Sequence, residues 1–223
     1  MSIGGHSGIG MTSARTRDRL VQRLREQGIH DLRVLERMRN LPRHIFVDEA
    51  LASRAYEDTA LPIGWGQTIS QPYIVARMTQ ALLAAGLPGK VLEVGFGCGY
   101  QTAVLAPFAG RILAIERVEP LVVPTRQRLK ELEVDNVRLK HGDGMKGWPT
   151  QAPFDGILVA AAPFAVPQAL VEQLAVGGRL IVPVGPEGQQ QLLRITRREN
   201  GLKQEVLEKV AFVPLLAGVT GGG

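Results

Sequence analysis

The chain has 223 residues, with 26 Lys and Arg against 21 Asp and Glu, a formal net charge of +5 and one cysteine, Cys98. That length fits one large domain, or a domain with an N-terminal elaboration. No stretch approaches the roughly 18 apolar residues of a membrane span, and a single cysteine excludes an intramolecular disulfide, which suits a reducing compartment.

The positive charge, with a pI of about 9.7, could serve nucleic-acid binding. However, the basic residues are scattered beside acids, as in RTRDRLVQRLREQG and RQRLKELE, and aromatics are not interleaved with Arg. The expectation is therefore no nucleic-acid partner, and a charge that favours anionic substrates.

Residues 1–11, MSIGGHSGIGM, lack a charged region followed by an apolar run, so they read as a flexible Gly- and Ser-rich tail of a cytoplasmic protein. Residues 12–27 carry Leu20 and Leu24 at helical spacing, with Thr12 or Ser13 as N-cap and Gly28 as stop. Asp31 caps a second short helix through Met38, Leu41-Pro42-Arg43 breaks it, and residues 44–55 read as a further helical piece. Residues 56–73, YEDTALPIGWGQTISQPY, are the least regular stretch, a loop with two prolines, two glycines and the polar cluster Gln67, Thr68, Ser70 and Gln71. Loops of this length inside a compact domain are usually functional. Pro72 opens a helix that ends at Gly86, and Ser70 reads equally well as a plain cap of that helix.

Residues 90–101, KVLEVGFGCGYQ, organise the chain. Val91, Leu92 and Val94 form the apolar run of a strand buried on both faces. Gly95, Gly97 and Gly99 then form a turn, and residues 100–108 a helix. Glycine takes positive φ freely and lets backbone lie against a ligand, which the turn delivers to a helix N-terminus. The next strand, RILAIER, ends at Glu116, about twenty residues past the first glycine, where nucleotide-binding α/β folds place a ribose-binding carboxylate. The spacing is G-x-G-x-G and not G-x-G-x-x-G, which argues against a dinucleotide and for the form found in S-adenosylmethionine (SAM) dependent methyltransferases.

Residues 119–133 read as helix, with the regular part starting near Val123 because Pro124 is tolerated only in a first turn. Residues 137–143 form the third strand, 154–162 the fourth and 179–185 the fifth. A helix over 166–175 is stopped by Gly177-Gly178, and residues 191–197 and 203–212 form a hairpin around Asn200-Gly201. The implied fold is α/β: a doubly wound, mostly parallel sheet with a C-terminal antiparallel hairpin and added N-terminal helices. One methyltransferase domain is expected, with residues 12–89 carrying helices and substrate loop and 90–218 the SAM-binding core.

Ligands of such sheets bind at the carboxyl ends of the strands. Glu116 and Asp143 are therefore candidates for the ribose and the adenine amino group, against the plain reading of solvated strand-end charges. His141 reads as structural. No His/Cys/carboxylate cluster has metal-ligand spacing, and no Ser-His-Asp or Cys-His set is legible, so the chemistry should need no dedicated base and no metal. Trp65 and Trp148 sit in loops.

These stretches resemble a known family. NLPRHIFVDEALASRAYEDTALPIGWGQTISQPYIVARM (40–78), VLEVGFGCGYQTAVLA (91–106), NVRLKHGDGMKGWP (136–149), APFDGILVAAA (152–162) and FVPLLAG (212–218) look like bacterial protein-L-isoaspartate (D-aspartate) O-methyltransferases. GQTISQP is the family-specific segment; the glycine turn marks only the wider methyltransferase class. The resemblance implies Ser70 as the active-site residue, with Thr68, Ile69 and Gln71 beside it binding substrate. It implies Gly95, Gly97, Glu116, Asp143 and Gly144 as the SAM site. Phe96, Cys98, Ala160 and Pro124 depart from the family's usual residues. The implied reaction moves a methyl group from SAM to the α-carboxylate of L-isoaspartyl residues in damaged proteins and peptides, by a monomer. The alternative is a SAM-dependent methyltransferase of nucleic acid or a small molecule; against base-amine chemistry, AAAPF stands after the fourth strand where Asn/Asp-Pro-Pro-Tyr would be expected.

Overall fold

A computed structural model describes residues 10–221. Most of the N-terminal tail and the last two glycines lie outside the described residues; the end of that tail, Gly10–Thr12, forms a 3-10 turn.

Two helices open the chain, α1 (Ala14–Glu26) and α2 (Leu32–Asn40). Ser13 holds the N-cap position of α1 without a side-chain capping bond, and Gly28 follows the helix at φ +94°. Asp31 caps α2 by accepting from the Arg33 N–H at 3.0 Å. Residues 44–55 are not one helical piece. They fall in two 3-10 segments, Arg43–Phe46 and Glu49–Arg54, separated by extended Val47.

The stretch read as an irregular loop contains an antiparallel hairpin, β1 (Leu61–Gly64) and β2 (Gln67–Ile69), paired Leu61 to Ile69 and Pro62 to Thr68. Its tip, Gly64-Trp65-Gly66, holds three consecutive positive φ angles, +87°, +55° and +67°. Strands this short, with a proline inside one and glycines at the turn, carry almost no period-two signal. Helix α3 (Pro72–Leu83) follows, with Gln71 as N-cap.

The core is a seven-stranded sheet in the order β5-β4-β3-β6-β7-β8-β9. Its strands are β3 (Lys90–Val94), β4 (Arg111–Glu116), β5 (Val137–His141), β6 (Phe154–Val159), β7 (Leu174–Val184), β8 (Gln190–Arg198) and β9 (Gly201–Val210). Strands β3 to β7 run parallel, and β8 and β9 are the antiparallel hairpin expected from Asn200-Gly201. The order reverses at β3, whose neighbours are β4 and β6. That topological switch opens a crevice beyond the carboxyl end of β3.

Alternate residues of β3 and β4 feed two cores. Val91, Ile112 and Ala114 pack with Ile74, Met78 and Leu82 of α3. Leu92, Val94, Leu113 and Ile115 pack on the other face with Leu170 and Val171 of α6 (Gln168–Glu172) and with Trp148. A third core joins α1 and α2 to α3 and to Tyr100 and Val104 of α4 (Tyr100–Leu105). Burial on both faces is why these strands read as apolar runs.

Two boundaries differ from expectation. Helix α5 (Glu119–Glu131) begins at Glu119 and carries Pro124 inside it. Proline removes only the bond to the carbonyl four residues back, Pro120, in the first turn, where the Leu121 N–H closes a tighter bond to the Val118 carbonyl at 3.1 Å. Helix α6 ends before the glycine pair. The Gln173 side chain donates to the Ala169 carbonyl at 2.8 Å, and Leu174 then enters the sheet opposite Phe154. Gly177 and Gly178 lie in an irregularity within β7.

Candidate active site

The crevice is a cleft floored by the β3–α4 turn. Gly95, Gly97 and Gly99 take φ angles of +82°, +50° and +85°, which L side chains rarely adopt. The turn is fixed from several sides. The Gly95 N–H donates to the Ile115 carbonyl at 2.8 Å, and the Thr125 hydroxyl donates to the Gly97 carbonyl at 2.7 Å. Arg128 donates to the Cys98 carbonyl at 2.9 Å.

Glu116, only 4% exposed at the end of β4, lines this cleft. Its Oε2 accepts from the Gly97 N–H at 3.0 Å and its Oε1 from the Val118 N–H at 2.9 Å. Each carboxylate oxygen has more than one acceptor site. The carboxylate therefore braces the glycine turn and can still receive a hydroxyl on each oxygen. Gly144 also lines the cleft; a Cβ there would sit 2.4 Å from Val94 Cγ1, so only glycine lets this backbone lie so close to β3. Asp143 is not on the cleft lining. Its Oδ1 accepts from the Met145 N–H at 2.9 Å and so caps a 3-10 turn, Gly144–Lys146.

The opposite wall is β2 and its exit. Thr68, Ile69 and Ser70 face the glycine turn across the cleft, with the Ile69 side chain in the N-terminal core. Ser70 is not a helix cap. Gln71 holds that position, and the Tyr73 N–H is taken by Asp58 Oδ1 at 2.9 Å. The Ser70 hydroxyl makes no hydrogen bond to a described residue. Gln71 lies off the cleft in an adjoining groove that shares Thr68, Ser70, Ala160 and Val213 with it, and its amide donates to Asp58 Oδ2 at 3.0 Å. Residues 213–216 close the far side, where Val213 and Leu215 exchange backbone bonds with Ala162.

Of the other singled-out residues, Cys98 lies on the cleft lining within the glycine turn, and the rest lie outside it. The His141 ring nitrogen Nε2 meets the Arg117 carbonyl at 3.0 Å, a structural contact. Trp148 is buried under Arg138 and Lys140, and Trp65 is 64% exposed at the hairpin tip. Cys98 is buried, and burial pushes its thiol pKa up. Burial likewise pushes Glu93 up to about 8; neither carboxyl oxygen has a hydrogen-bond partner at normal distance among the described residues, although the Thr102 hydroxyl lies near enough to oppose the shift. Sequence reasoning assigned no role to Arg43 or Asp58, whose side chains hold the exit of β2. A lone charge in an irregular stretch gives no periodic signal.

A parallel sheet with a glycine turn at its switch point and an acid ending the next strand has the architecture of a SAM-dependent methyltransferase. Residues 15–220 match the family model Protein-L-isoaspartate(D-aspartate) O-methyltransferase (PCMT), and the chain belongs to that family. Relatives named protein-L-isoaspartate O-methyltransferase include one from Alcanivorax borkumensis, 58% identical over 96% of this chain and 97% of its own. Another, from Marinobacter nauticus, is 61% identical over 95% and 96%. A Plasmodium falciparum beta-aspartate methyltransferase (PCMT), solved in complex with S-adenosyl-L-homocysteine, superposes with a TM-score of 0.77 at 29% identity, covering 90% of this chain and 98% of that one.

Proposed function

We infer that the chain transfers a methyl group from SAM to the free α-carboxylate of L-isoaspartyl residues in damaged proteins and peptides. The observation that carries this reading is the meeting of two walls in one cleft, the glycine turn with Glu116 on one side and Thr68, Ile69 and Ser70 on the other. SAM supplies an electrophilic methyl group on a sulfonium sulfur. The chain's residues fit that group: the glycine backbone gives close approach, Glu116 has lone pairs free for ribose hydroxyls, and Phe96 and Ile115 add apolar wall. Gly95, Gly97, Glu116 and Gly144 hold the cofactor, with Asp143 acting from behind through the turn it caps.

The substrate carboxylate needs no general base. Such groups titrate near 3–4 and are already ionised at neutral pH. The residues must desolvate it, aim it and hold it in line with the methyl group. The Ser70 hydroxyl, unengaged by other side chains, donates to one carboxylate oxygen, and Thr68 and the backbone of Ile69 shape the approach. The peptide on either side of the isoaspartyl residue runs along the adjoining groove past Gln71, Tyr73 and the end of β9. Methyl esterification removes the charge and creates a methoxide leaving group. The next backbone nitrogen can then attack, releasing methanol and closing a succinimide that hydrolyses partly to normal aspartate.

We further infer a single working domain, with residues 12–89 supplying the substrate loop and 90–218 the cofactor core, acting as a cytoplasmic monomer without nucleic acid. Both segments line the one cleft, which supports the single domain, and the lone cysteine is buried; no described helix is long and apolar enough to cross a membrane. The test is SAM-dependent methylation of an isoaspartyl peptide beside its aspartyl twin. Transfer to the isoaspartyl peptide alone is expected; equal transfer to both, or to neither, would overturn the reading.

A further inference from the structure

Arg43 has no exposed surface, yet among the described residues it makes no ion pair. Its guanidinium lies 4.7 Å over the ring of Tyr100. Nε donates to the Ala55 carbonyl at 2.8 Å, and Nη2 donates to the Ser70 carbonyl at 2.8 Å. Nη1 and the neighbouring Tyr100 hydroxyl have no hydrogen-bond partner at normal distance among the described residues, although the guanidinium and the hydroxyl lie near enough to interact. Removing a cation from water is costly, and carbonyl dipoles and an aromatic face offset that cost only in part. A neutral apolar side chain would avoid that cost but leave the Ala55 and Ser70 carbonyls without this donor, so the guanidinium calls for an account in terms of what it holds.

Its contacts point to one. Ser70 is the joint between β2 and α3, where the chain leaves a three-residue strand and turns into a helix. Two charged side chains from the preceding segment grip that joint. Arg43 holds the Ser70 carbonyl, and Asp58 holds the Tyr73 N–H and the Gln71 amide. Fixing the carbonyl of a residue fixes its ψ, hence the plane of the peptide bond to the next residue. With the carbonyl held, the Ser70 Cα–Cβ bond keeps its place on the cleft wall, and only χ1 is left to set where the hydroxyl points.

We propose that Arg43 is a positioning residue for methyl transfer, acting through the Ser70 carbonyl to aim the loop of residues 68–71 at the substrate carboxylate. The proposal rests on the reading of that loop as the carboxylate site. Lysine at this position keeps a charge and can reach one carbonyl, but it cannot bridge two carbonyls while stacking on a ring.

The test is single-turnover and steady-state methylation of an isoaspartyl peptide by Arg43→Met, Arg43→Lys, Ser70→Ala and the double variant Arg43→Met/Ser70→Ala. SAM affinity by calorimetry and melting temperature serve as controls. Arg43→Met is expected to lower kcat at least about tenfold per folded molecule, the range for a misplaced reacting group, with SAM affinity changed less than about threefold. Arg43→Lys should recover part of the loss. The double variant should be within about threefold of its worse parent, because both changes disable one device. Wild-type kcat in folded Arg43→Met would overturn the proposal, as would losses that multiply in the double variant. If Arg43→Met does not fold, Arg43→Lys carries the test, and its kcat at the wild-type level would count against the proposal. Ser70→Ala at wild-type turnover beside an impaired Arg43→Met would refute the hydroxyl reading while supporting Arg43 as holder of the loop backbone.

Discussion

Glu116 offers the sharpest test of the cofactor site, because its carboxylate has two separable jobs. It accepts the Gly97 and Val118 N–H groups at 3.0 and 2.9 Å, and in the proposed site it also accepts ribose hydroxyls. Glu116→Gln keeps the shape and removes the charge. Hydrogen bonds to a charged group contribute about 1.5–3 kcal/mol and neutral ones about 0.5–1.5, so weakening two ribose bonds should lower SAM affinity about ten- to a hundredfold. The amide nitrogen also cannot accept, so one buried N–H is left unmet at a cost of about 1–3 kcal/mol. For a domain of this size each kcal/mol moves the melting temperature about 2–4 °C, which gives a fall of roughly 2–12 °C. Calorimetry reads the first effect and differential scanning fluorimetry the second. A 2′-deoxyribose analogue of SAM separates a lost ribose contact from a misshapen turn. Wild type should discriminate against the analogue, and Glu116→Gln should do so much less. Unchanged SAM affinity in the variant, or discrimination equal to that of wild type, would refute the ribose assignment.

Ser70→Ala should lower methyl transfer roughly ten- to a thousandfold with little change in SAM affinity or melting temperature, since Gln71 and not Ser70 caps α3; near wild-type turnover in single-turnover assays would move the carboxylate site to Thr68 or the loop backbone. Gly144→Ala would place a methyl group 2.4 Å from Val94 Cγ1 and should cost about 1–3 kcal/mol of stability in denaturant titration. Cys98→Ser should retain most activity, because a buried thiol held up in pKa is no nucleophile; loss of all turnover with SAM still bound would reverse that view. Glu93 should make stability fall as pH rises. Its carboxyl group is raised from 4.5 to about 8 by desolvation, so between those values the folded chain holds a proton that the unfolded chain has released. The slope for one such proton is about 1.4 kcal/mol per pH unit. Glu93→Gln should flatten it, and a variant whose stability profile from pH 5 to 8 parallels wild type would sink the idea.

The parts of the molecule that sequence reasoning reached are those where one residue pattern answers one physical demand. Val91, Leu92 and Val94 are apolar because β3 is buried on both faces, and Asn200-Gly201 reads as a turn because the hairpin needs it. Gly28 and Asp31 mark helix ends through backbone groups that any helix leaves unpaired. The hairpin of β1 and β2 was illegible for the opposite reason. Its seven strand residues include a proline and a glycine, only Leu61 and Ile69 are buried, and it is stabilised by what surrounds it. The α6 boundary depended on Gln173, whose amide reaches Trp148 and Lys146 across the fold as well as Ala169 four residues back, a combination that no local pattern encodes. Asp143 shows that an acid after a strand end can carry a second job, capping a turn through the Met145 N–H, which strand position alone does not reveal.

The substrate wall is tied to the fold along its length although it reads as a loop. A reaction without a proton transfer gains nothing from a titrating side chain, so the geometry of a fixed donor against an ionised carboxylate must supply the rate. A free loop would lose that geometry to backbone entropy at about 1–2 kcal/mol per residue. Here the backbone of Thr68 and Ile69 is tied into β2, the Ser70 carbonyl is held by Arg43, and the Gln71 side chain and Tyr73 N–H are held by Asp58. The cofactor wall is tied by the same kind of bond, with Glu116, Thr125 and Arg128 each engaging the backbone of the glycine turn. Both walls thus put charged or hydroxyl side chains onto main-chain groups. This leaves the Ser70 hydroxyl and the open acceptor sites of the Glu116 carboxylate as the contacts free for a ligand, at the place where donor and acceptor must meet in line.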